Sequence, residues 1–371
     1  MSIKACYNRI LHNAESAPQT IEKMKTACAE DYAIIHKAPI YNSIKWTPEQ
    51  QRAFDNYWMD VYGKTIPNKW HRLYEAISGQ YCVNYIPEKI YTTVIEPSLN
   101  DYTYAKVLQD KSLVESLSAG SDCVVPETVL VCSGGYLFTS ERKPINVKEA
   151  LTSVKTSGKV VIKPTINSSS GKQIVFFEFS SETDQEIENS LKKMGNDFIV
   201  QKEIVPHPDF SVFNPTSINT IRIITFLVNG SIHHAPLSFR IGRIKSKVDN
   251  IHAGGLGIGL DDQGYLLPKA YELGYGDNST TYTEHPDSRT VFAGRKLPAI
   301  DKVINAAYTV HGRYPHIGII SWDFTVDKDG NAVLIEANIK GQGVWLPQII
   351  HGKGLFGEYT KEVLSKVRKS E

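Results

Sequence analysis

The sequence contains no apolar segment that could cross a membrane. No uncharged apolar run approaches the roughly 20 residues that a spanning helix needs. The amino terminus, MSIKACYNRI, lacks the apolar stretch of about 7 to 15 residues found in secretory signals. Charge of one sign is not in excess, because 41 Lys and Arg stand against 40 Asp and Glu, which gives no general attraction for nucleic acid. We therefore expect a soluble, cytoplasmic protein without a nucleic-acid partner.

Cysteine is scarce and scattered. The five cysteines are Cys6, Cys28, Cys82, Cys123 and Cys132. Their number is odd and no two of them form a CxxC pair, which fits a reducing compartment. No neighbouring sequence marks an activated thiol, so buried or incidental cysteines are favoured over a catalytic one.

The length and composition predict a folded protein with more than one lobe. The chain has 371 residues, of which 41% are hydrophobic and 22% are charged, and domains usually contain roughly 100 to 200 residues. The first 100 residues have helical periodicity, most clearly over 47–62 and 70–77. Pro87 and Pro97 then interrupt any helix, so we place a domain boundary near residue 100.

The remainder predicts an α+β protein. A helical pattern over 105–120 is followed by short β runs, by a helix after Asn146 and by the strand 159–163. Beyond a charged helix at 184–194, most of the chain reads as strands of antiparallel hairpins with helices packed on one face. We divide the chain into a helix-rich domain (1–100) and two α+β subdomains (101–200 and 201–371).

One predicted hairpin brings acidic side chains together. Asp329-Gly330 lies between two apolar runs and is a strong turn signal. A two-residue turn places Asp323 directly opposite Glu336, with Asn338 on the same face. The apolar face would consist of Ile320, Trp322, Phe324 and Val326 on one strand, and Val333, Ile335, Ala337 and Ile339 on the other.

The opposed carboxylates predict a bound cation. Like charges directly opposite each other across two strands are destabilising, and two carboxylates with an amide oxygen suit Mg²⁺. The alternative is a solvated face on which Asp323 and Glu336 pair with Lys or Arg. A three-residue turn with a bulge at Gly330 would loosen the pairing but keep the shared face.

Two further segments have the form of ligand-binding loops. Lys163 ends a β run and is followed by TINSSSGKQ, which offers hydroxyl and N–H donors to phosphate oxygens, although such turns are common. The loop does not have the GxxxxGK[ST] form of a P-loop. The segment FIVQKEIVPHPDF leaves a strand at 201–204, where it exposes one backbone carbonyl and one N–H.

A second hairpin, with Asn229-Gly230 at its turn, brings Arg222 and Arg240 into one sheet. Arginine matches the geometry of a carboxylate, so Arg240 or Arg243 is a candidate to orient an acid substrate, against the alternative of a surface salt bridge. His252 is a candidate general base, or equally a positioning residue.

These segments, taken in order, resemble a known family. The set comprises QDK, VVIKP, the Ser/Gly loop, VQKEI, NTIRIITF, WDF and LIEAN. It is similar to the ATP-grasp superfamily, and more narrowly to its sugar-transfer-associated branch. WHRLYEAISGQYCVNYIPEKIY and NIHAGGLGIGL also resemble that branch, so the resemblance covers roughly residues 65 to 365.

The resemblance implies an ATP-grasp fold, in which two α+β subdomains grip ATP with Mg²⁺, and it assigns roles to individual residues. Lys111, in the helix before the first strand, and Lys163 would contact the α- and β-phosphates, and Ser168, Ser169, Ser170 and Gly171 would close over the triphosphate. Gln201 stands at the hinge where relatives carry an acid; the Lys202 carbonyl and Ile204 N–H would bind adenine, and Asp209 the ribose. Arg222 would meet the γ-phosphate or an acyl phosphate, while Asp323, Glu336 and Asn338 would hold one or two Mg²⁺.

The implied activity is that of an ATP-dependent carboxylate–amine ligase. A substrate carboxylate would attack the γ-phosphate, and an amine would convert the acyl phosphate to an amide. The expected substrates are small molecules, an amino acid or amine and a sugar acid or other carboxylate, in polysaccharide or related biosynthesis. The alternatives are a small-molecule kinase on the same fold and a non-catalytic nucleotide-binding partner of a glycosyltransferase.

Overall fold

The computed structural model describes residues 3–166, 173–178, 182–273 and 279–370. The chain divides into two compact units. The helical unit comprises residues 1–99 and 341–371, and the sheet unit comprises residues 100–340. Residues 341–371 group with the amino-terminal helices, and residues 101–200 and 201–340 share one unit. The division into three domains stays a prediction.

The helices and strands have the following bounds. The helices are α1 (Ile3–His36), α2 (Ala38–Ser43), α3 (Pro48–Tyr62), α4 (Lys69–Ser78), α5 (Glu88–Ile90), α6 (Glu96–Leu99), α7 (Tyr102–Leu108), α8 (Val114–Ser118), α9 (Val147–Thr156), α10 (Asp184–Lys193), α11 (Pro208–Ser211), α12 (Ile300–His311), α13 (Trp345–His351) and α14 (Thr360–Ser370). The strands are β1 (Thr128–Ser133), β2 (Tyr136–Phe138), β3 (Lys159–Pro164), β4 (Val175–Glu178), β5 (Phe198–Lys202), β6 (Thr220–Val228), β7 (Ser231–His234), β8 (Leu237–Ile241), β9 (Leu256–Leu260), β10 (Leu266–Leu273), β11 (Ser279–Tyr282), β12 (Ile319–Val326) and β13 (Ala332–Asn338).

Local sequence signals explain the helical unit. Helix α3 begins at a capping box, in which the Thr47 side chain accepts from the Gln50 N–H and the Gln50 side chain accepts from the Thr47 N–H. It ends at Gly63 in the left-handed conformation. Helices α13 and α14 return to pack on α4 and α3. No helix in the described ranges has both the length and the apolar character needed to cross a bilayer.

The sheet unit contains two antiparallel sheets. Among the described residues, the first has five strands in the order β2-β1-β5-β3-β4. Helices α9 and α10 cover one face of it, where side chains of alternate residues form a core with Val160, Ile162 and Val200. Side chains of the intervening residues, including Lys163, therefore lie on the opposite face.

The second sheet is larger and contains both predicted hairpins. Its described path is β11-β10-β9-β8-β6-β12-β13, with β7 paired to β6. Helix α12 packs on the face that includes Ile221, Ile223, Trp322 and Phe324. The predicted continuous strand 231–241 is divided into β7 and β8, and both pair with β6.

The helix predicted over 105–120 is wrong in its middle. Helix α7 ends at Leu108, α8 begins at Val114, and Lys111 lies in the turn between them rather than in a helix. The break has a local cause, because the Asp110 carboxylate accepts from the Ser112 N–H at 2.8 Å and so replaces a helical hydrogen bond. The turn also lets the Lys111 N–H donate to the Thr165 carbonyl at 2.9 Å.

The predicted pairing of Asp323 with Glu336 is confirmed, although the predicted two-residue turn is wrong. Asp327 and Asn331 close a three-residue loop, with the Asp327 N–H donating to the Asn331 carbonyl at 3.0 Å and Gly330 at φ 76°. The loop shifts the register by one residue, and a bulge at Ile335 restores it.

The bulge also corrects the predicted apolar face. Leu334, not Val333 or Ile335, lies opposite Phe324 and joins the core. Ala337 and Ile339 belong to that core as expected.

Candidate active site

Four side chains form a row across the larger sheet, on the face opposite α12. Register pairs Ser238 with Arg222, Arg222 with Asp323, and Asp323 with Glu336. Residues paired directly across antiparallel strands share a face, with Cβ atoms about 4.5 to 5.5 Å apart. The strands β8, β6, β12 and β13 therefore bring together residues as far apart in sequence as Arg222 and Glu336.

Asp323 is the centre of an ion-pair cluster. Arg222 donates from Nε to Oδ1 at 2.9 Å and from Nη2 to Oδ2 at 2.8 Å, and Arg240 Nη2 lies 3.0 Å from Oδ2. Burial alone would raise the pKa of Asp323, but attraction by Arg222 and Arg240 holds it below its usual value. The carboxylate is therefore ionised, and its two parallel hydrogen bonds fix the plane of the Arg222 guanidinium group.

Arg240 is fixed from a second side. Its Nε and Nη2 donate to Thr220 Oγ1 at 3.0 and 2.7 Å. Thr220 in turn donates from its N–H and its hydroxyl to Asp249 Oδ2, at 2.7 and 2.5 Å. Sequence reasoning missed Thr220 and Asp249. Thr220 could have been found from the sequence, because it stands two residues before Arg222 in the same strand and so shares its face. Asp249 lies in a loop, where no sequence pattern indicates its position.

Two lysines approach the row, Lys163 from β3 of the smaller sheet and Lys111 from the turn between α7 and α8. Lys111 Nζ lies 3.1 Å from Glu336 Oε1, and Lys163 is buried nearby with 7% of its surface exposed. Burial and the neighbouring charge of Lys111 lower the pKa of Lys163 to about 8, against an opposing effect of Glu336. Two cations buried side by side are costly unless an anion joins them.

The cluster as a whole favours an anionic ligand. Its cations are Lys111, Lys163, Arg222 and Arg240. Its carboxylates are Asp249, Asp323 and Glu336. Four positive groups against three negative ones leave one positive charge in excess when every group is ionised, so a phosphate chain fits this site better than a bare cation does.

The three predicted magnesium ligands are placed on one face, and their oxygens fit a cation that arrives with phosphate. Asn338 Nδ2 donates to the Ser321 carbonyl at 3.3 Å, which leaves Oδ1 as the atom available for a cation. Glu336 uses one oxygen for Lys111, whereas Asp323 is engaged by Arg222 and Arg240. Within the described residues, no three His, Cys, Asp or Glu side chains form a group suited to a metal. The set suits Mg²⁺ that keeps water and phosphate ligands, not a cage made by protein alone.

The predicted hinge lies at the end of β5. The Lys202 N–H donates to the Glu127 carbonyl at 2.9 Å, and the Glu203 N–H to the Lys159 carbonyl at 3.0 Å. The Ile204 N–H has no backbone acceptor among the described residues. The Gln201 side chain is buried, and the Lys202 ammonium pairs with Glu127.

Of the remaining predicted residues, one lies near the cluster and two have other ion-pair partners. His252 is close enough to the cluster that burial, and then the charge of Arg222, lower its pKa, which keeps the imidazole neutral near pH 7. Arg243 is held by Asp287 at 2.8 Å, away from Asp323. Asp209 faces His207 at 3.5 Å. Ser168, Ser169, Ser170 and Gly171 lie outside the described residues.

Comparison with known proteins agrees with the architecture. The helical amino-terminal region and the two antiparallel sheets agree with an ATP-grasp fold. Residues 92–364 match the family model described as sugar-transfer associated ATP-grasp, so the chain belongs to that family. No curated protein sequence matches the chain.

Solved structures with a similar fold include three enzymes at low identity. The VanG D-Ala:D-Ser ligase from Enterococcus faecalis is 14% identical, with a TM-score of 0.42 over 73% of this chain and 63% of its own. The L-amino acid ligase from Bacillus licheniformis is 13% identical, with a TM-score of 0.38 over 69% and 48%. The N5-carboxyaminoimidazole synthetase from Staphylococcus aureus, complexed with ADP, is 11% identical, with a TM-score of 0.40 over 66% and 48%. The chain thus covers less than two thirds of each, and the family assignment rests on the family model alone.

Proposed function

We propose that this chain is an ATP-dependent ligase that joins a carboxylate to an amine through an acyl phosphate. The observation that carries the proposal is the cluster in which Lys111, Lys163, Arg222 and Arg240 converge on one sheet face with an excess of positive charge. Membership of an ATP-grasp family supports ATP as the anion. Phosphoryl transfer needs mainly positioning and charge neutralisation, and this cluster offers both.

Each cation has a distinct task in this proposal. Lys111 and Lys163 hold the α- and β-phosphates, and Arg222 holds the γ-phosphate and then the acyl phosphate. Asp323 keeps Arg222 in one orientation through two parallel hydrogen bonds, so the guanidinium is already placed before the phosphoryl group moves. The Ser168 to Gly171 loop would exclude water from the intermediate.

Glu336 and Asn338, with Asp323, are the residues that would hold Mg²⁺. The ion would neutralise negative charge on the phosphate oxygens. Glu336 also pairs with Lys111. This carboxylate would therefore both bind the cation and hold the phosphate-binding lysine in place.

The acid and the amine would bind on the β8 side of the row. Arg240 is held by Thr220 and Asp323 and is the candidate to orient the substrate carboxylate. His252, whose pKa is lowered, can accept a proton from the attacking amine or position it. The substrates proposed are an amino acid or amine and a sugar acid or other small carboxylate, and the adenine and ribose would lie at Lys202, Ile204 and Asp209.

The reaction class is tested by following ATP turnover in mixtures of candidate acids and amines. Amino acids are supplied with and without uronic acids, and both phosphate release and new amide products are measured. An amide formed with ADP and phosphate supports the ligase. A phosphorylated hydroxyl compound would instead identify a kinase, and ATP binding without turnover in every mixture would identify a non-catalytic partner.

The Glu336→Gln variant tests the proposed magnesium ligand. We expect Mg²⁺-dependent turnover to fall by at least about 100-fold, because removing a ligand and a charge partner of Lys111 disturbs the phosphates. The melting temperature should stay close to that of the wild type. Glu141→Gln, which changes an exposed glutamate of the same unit, is the control. Near-normal turnover in Glu336→Gln would refute the metal assignment.

A further inference from the structure

The guanidinium group of Arg240 is held through two of its three nitrogens. Nε and Nη2 both donate to Thr220 Oγ1, at 3.0 and 2.7 Å, and Nη2 also lies 3.0 Å from Asp323 Oδ2. In the part of the chain that the structure describes, Nη1 has no hydrogen-bond or ion-pair partner. A guanidinium carries five N–H donors in one plane, so the two N–H groups of Nη1 are those that a ligand can use.

The Thr220 hydroxyl links Arg240 to the carboxylate of Asp249. A hydroxyl has one hydrogen and two lone pairs. Thr220 gives its hydrogen to Asp249 Oδ2 at 2.5 Å, and the lone pairs of Oγ1 then accept from Arg240. Asp249 Oδ1 lies 3.9 Å from Arg240 Nη2, which is too far for a hydrogen bond. The directional effect of Asp249 on the guanidinium therefore passes through the hydroxyl.

The backbone on both sides of Asp249 is fixed within the same unit. Upstream, Asn214 Nδ2 donates to the Ser246 carbonyl at 3.0 Å. Downstream, a Cβ at Gly255 would lie 2.6 Å from the Asp249 carbonyl oxygen, so this close approach requires glycine. Asp249 is 8% exposed. The loop therefore holds a buried carboxylate against Thr220 in one position.

A purely structural tie between this loop and Thr220 would not require a charged side chain. A neutral acceptor satisfies the same donors of Thr220 at a smaller cost of burial. An amide, however, can turn its NH₂ group towards the Thr220 oxygen and take a lone pair from Arg240. A carboxylate only accepts, so Asp249 leaves both lone pairs of the hydroxyl for the guanidinium.

We propose that Asp249 is a positioning residue, which acts through the Thr220 hydroxyl to hold Arg240 with Nη1 presented to a ligand carboxylate. The inference rests on the proposed function only in taking that carboxylate to belong to the acid substrate. Without an oriented hydroxyl, the guanidinium keeps one contact, with Asp323, and can turn about it. Carboxylate binding then weakens, because part of its free energy is used to order the arginine.

The probe is acetate, a small carboxylate, and its binding is followed by NMR at the Arg240 Nε–H signal. The signal is assigned by its absence from Arg240→Lys, and a chloride titration at equal ionic strength is subtracted. We expect Thr220→Val to weaken acetate binding by at least about fivefold. Thr220→Ser, which keeps the hydroxyl, should stay within about twofold of the wild type.

A double-mutant cycle then tests Asp249 itself. Asp249→Asn removes a negative charge, which by itself favours anion binding, but this effect cancels when Thr220→Val is compared with its parent in each background. The loss caused by Thr220→Val should shrink from at least about fivefold to about twofold or less in the Asp249→Asn background. The same loss in both backgrounds would overturn the role of Asp249.

The controls separate this inference from the proposed function. Thr152→Val changes an exposed threonine of α9 and should bind acetate as the wild type does. The Kd for MgADP should agree within about twofold among the wild type, Thr220→Ser and Thr220→Val, because no charge changes. Wild-type acetate affinity in Thr220→Val, or no effect of acetate on Arg240 in the wild type, would overturn the inference alone. Failure of ADP to bind the wild type would overturn the nucleotide assignment alone.

Discussion

At the scale of single residues, the pKa of Lys163 depends both on burial and on whether a phosphate is bound beside it. Its ammonium is removed from water and lies beside Lys111, and both effects lower its pKa to about 8. Without ligand, the unfolded chain binds this proton more tightly than the folded protein does. The charged Lys163 side chain therefore lowers the free energy of unfolding below pH 8. That penalty is relieved as pH rises from about 8 towards 10.5. A phosphate beside Lys163 acts in the opposite direction and raises its pKa.

We therefore predict that nucleotide binding near pH 9 is accompanied by proton uptake. At that pH much of Lys163 is neutral in the free protein, and the bound phosphates restore its charge. Affinity for MgADP should fall as pH increases through about 8, by up to about tenfold per pH unit. Calorimetry in two buffers with different heats of ionisation measures the number of protons taken up.

The matched control for this prediction is Lys163→Arg, which keeps a positive charge that does not titrate in this range. This variant should bind nucleotide without the uptake near pH 9. The same uptake in Lys163→Arg and in the wild type would assign the proton to another group.

The residue-scale predictions from sequence succeeded where one strand or one hairpin determines the answer. Asp323 and Glu336 are paired as predicted. The longer turn shifts the strand register by one residue and the bulge at Ile335 shifts it back, and no sequence pattern indicates either change. Asp249 could not be found, because it reaches Thr220 across 29 positions and only the folded chain brings them together.

At the scale of elements, the break between α7 and α8 places a lysine in the cluster. Continuous periodicity over 105–120 favoured one helix, but the Asp110 side chain competes for the Ser112 N–H and stops it. The backbone of Lys111 then joins the end of β3 through Thr165. Strands were easier to predict than this turn, because alternation extends over several residues whereas a break depends on one hydrogen bond.

We predict that Asp110→Ala weakens nucleotide binding more than its effect on stability suggests. Loss of the side-chain acceptor should cost about 1 kcal/mol of unfolding free energy, and a less ordered Lys111 should weaken MgADP about tenfold. Urea unfolding and calorimetry measure the two effects separately.

Asp101→Ala is the matched control for Asp110→Ala. Asp101 caps the start of α7 by accepting from the Thr103 N–H at 2.9 Å, so its loss should cost a similar amount of stability. Its removal leaves the turn at Lys111 unchanged. Equal losses of nucleotide affinity in the two variants would show that the turn has no special role.

At the scale of the whole molecule, the charge that matters is local. The chain carries a formal net charge of only +1, yet four cations meet three carboxylates at one face of a sheet. Two hairpins predicted the pairing of Asp323 with Glu336 and a shared sheet for Arg222 and Arg240, and the family resemblance added Lys111 and Lys163. Asp249 was not predicted. The sequence did not predict that residues 341–371 return to the amino-terminal helices, because that return depends on packing between segments far apart in the chain.

This local excess predicts the order in which ligands stabilise the protein. Mg²⁺ alone would add two positive charges to a face with one in excess, so it should leave the melting temperature within about 1 °C of the free protein. Nucleotide alone should raise it, because phosphates neutralise Lys111 and Lys163. Nucleotide with Mg²⁺ should raise it further, by about 4 °C at a hundredfold excess over Kd.

Thermal melting with Mg²⁺, with ADP and with both distinguishes this order from a preformed metal site. In Glu336→Gln the increment due to Mg²⁺ should disappear while the increment due to ADP remains, since the proposed cation ligand is lost and Lys163 is kept. Strong stabilisation of the wild type by Mg²⁺ alone would mean that Asp323 leaves Arg222 and Arg240 to bind the metal before any phosphate arrives. The charge balance derived from the ion pairs would then not describe the free protein.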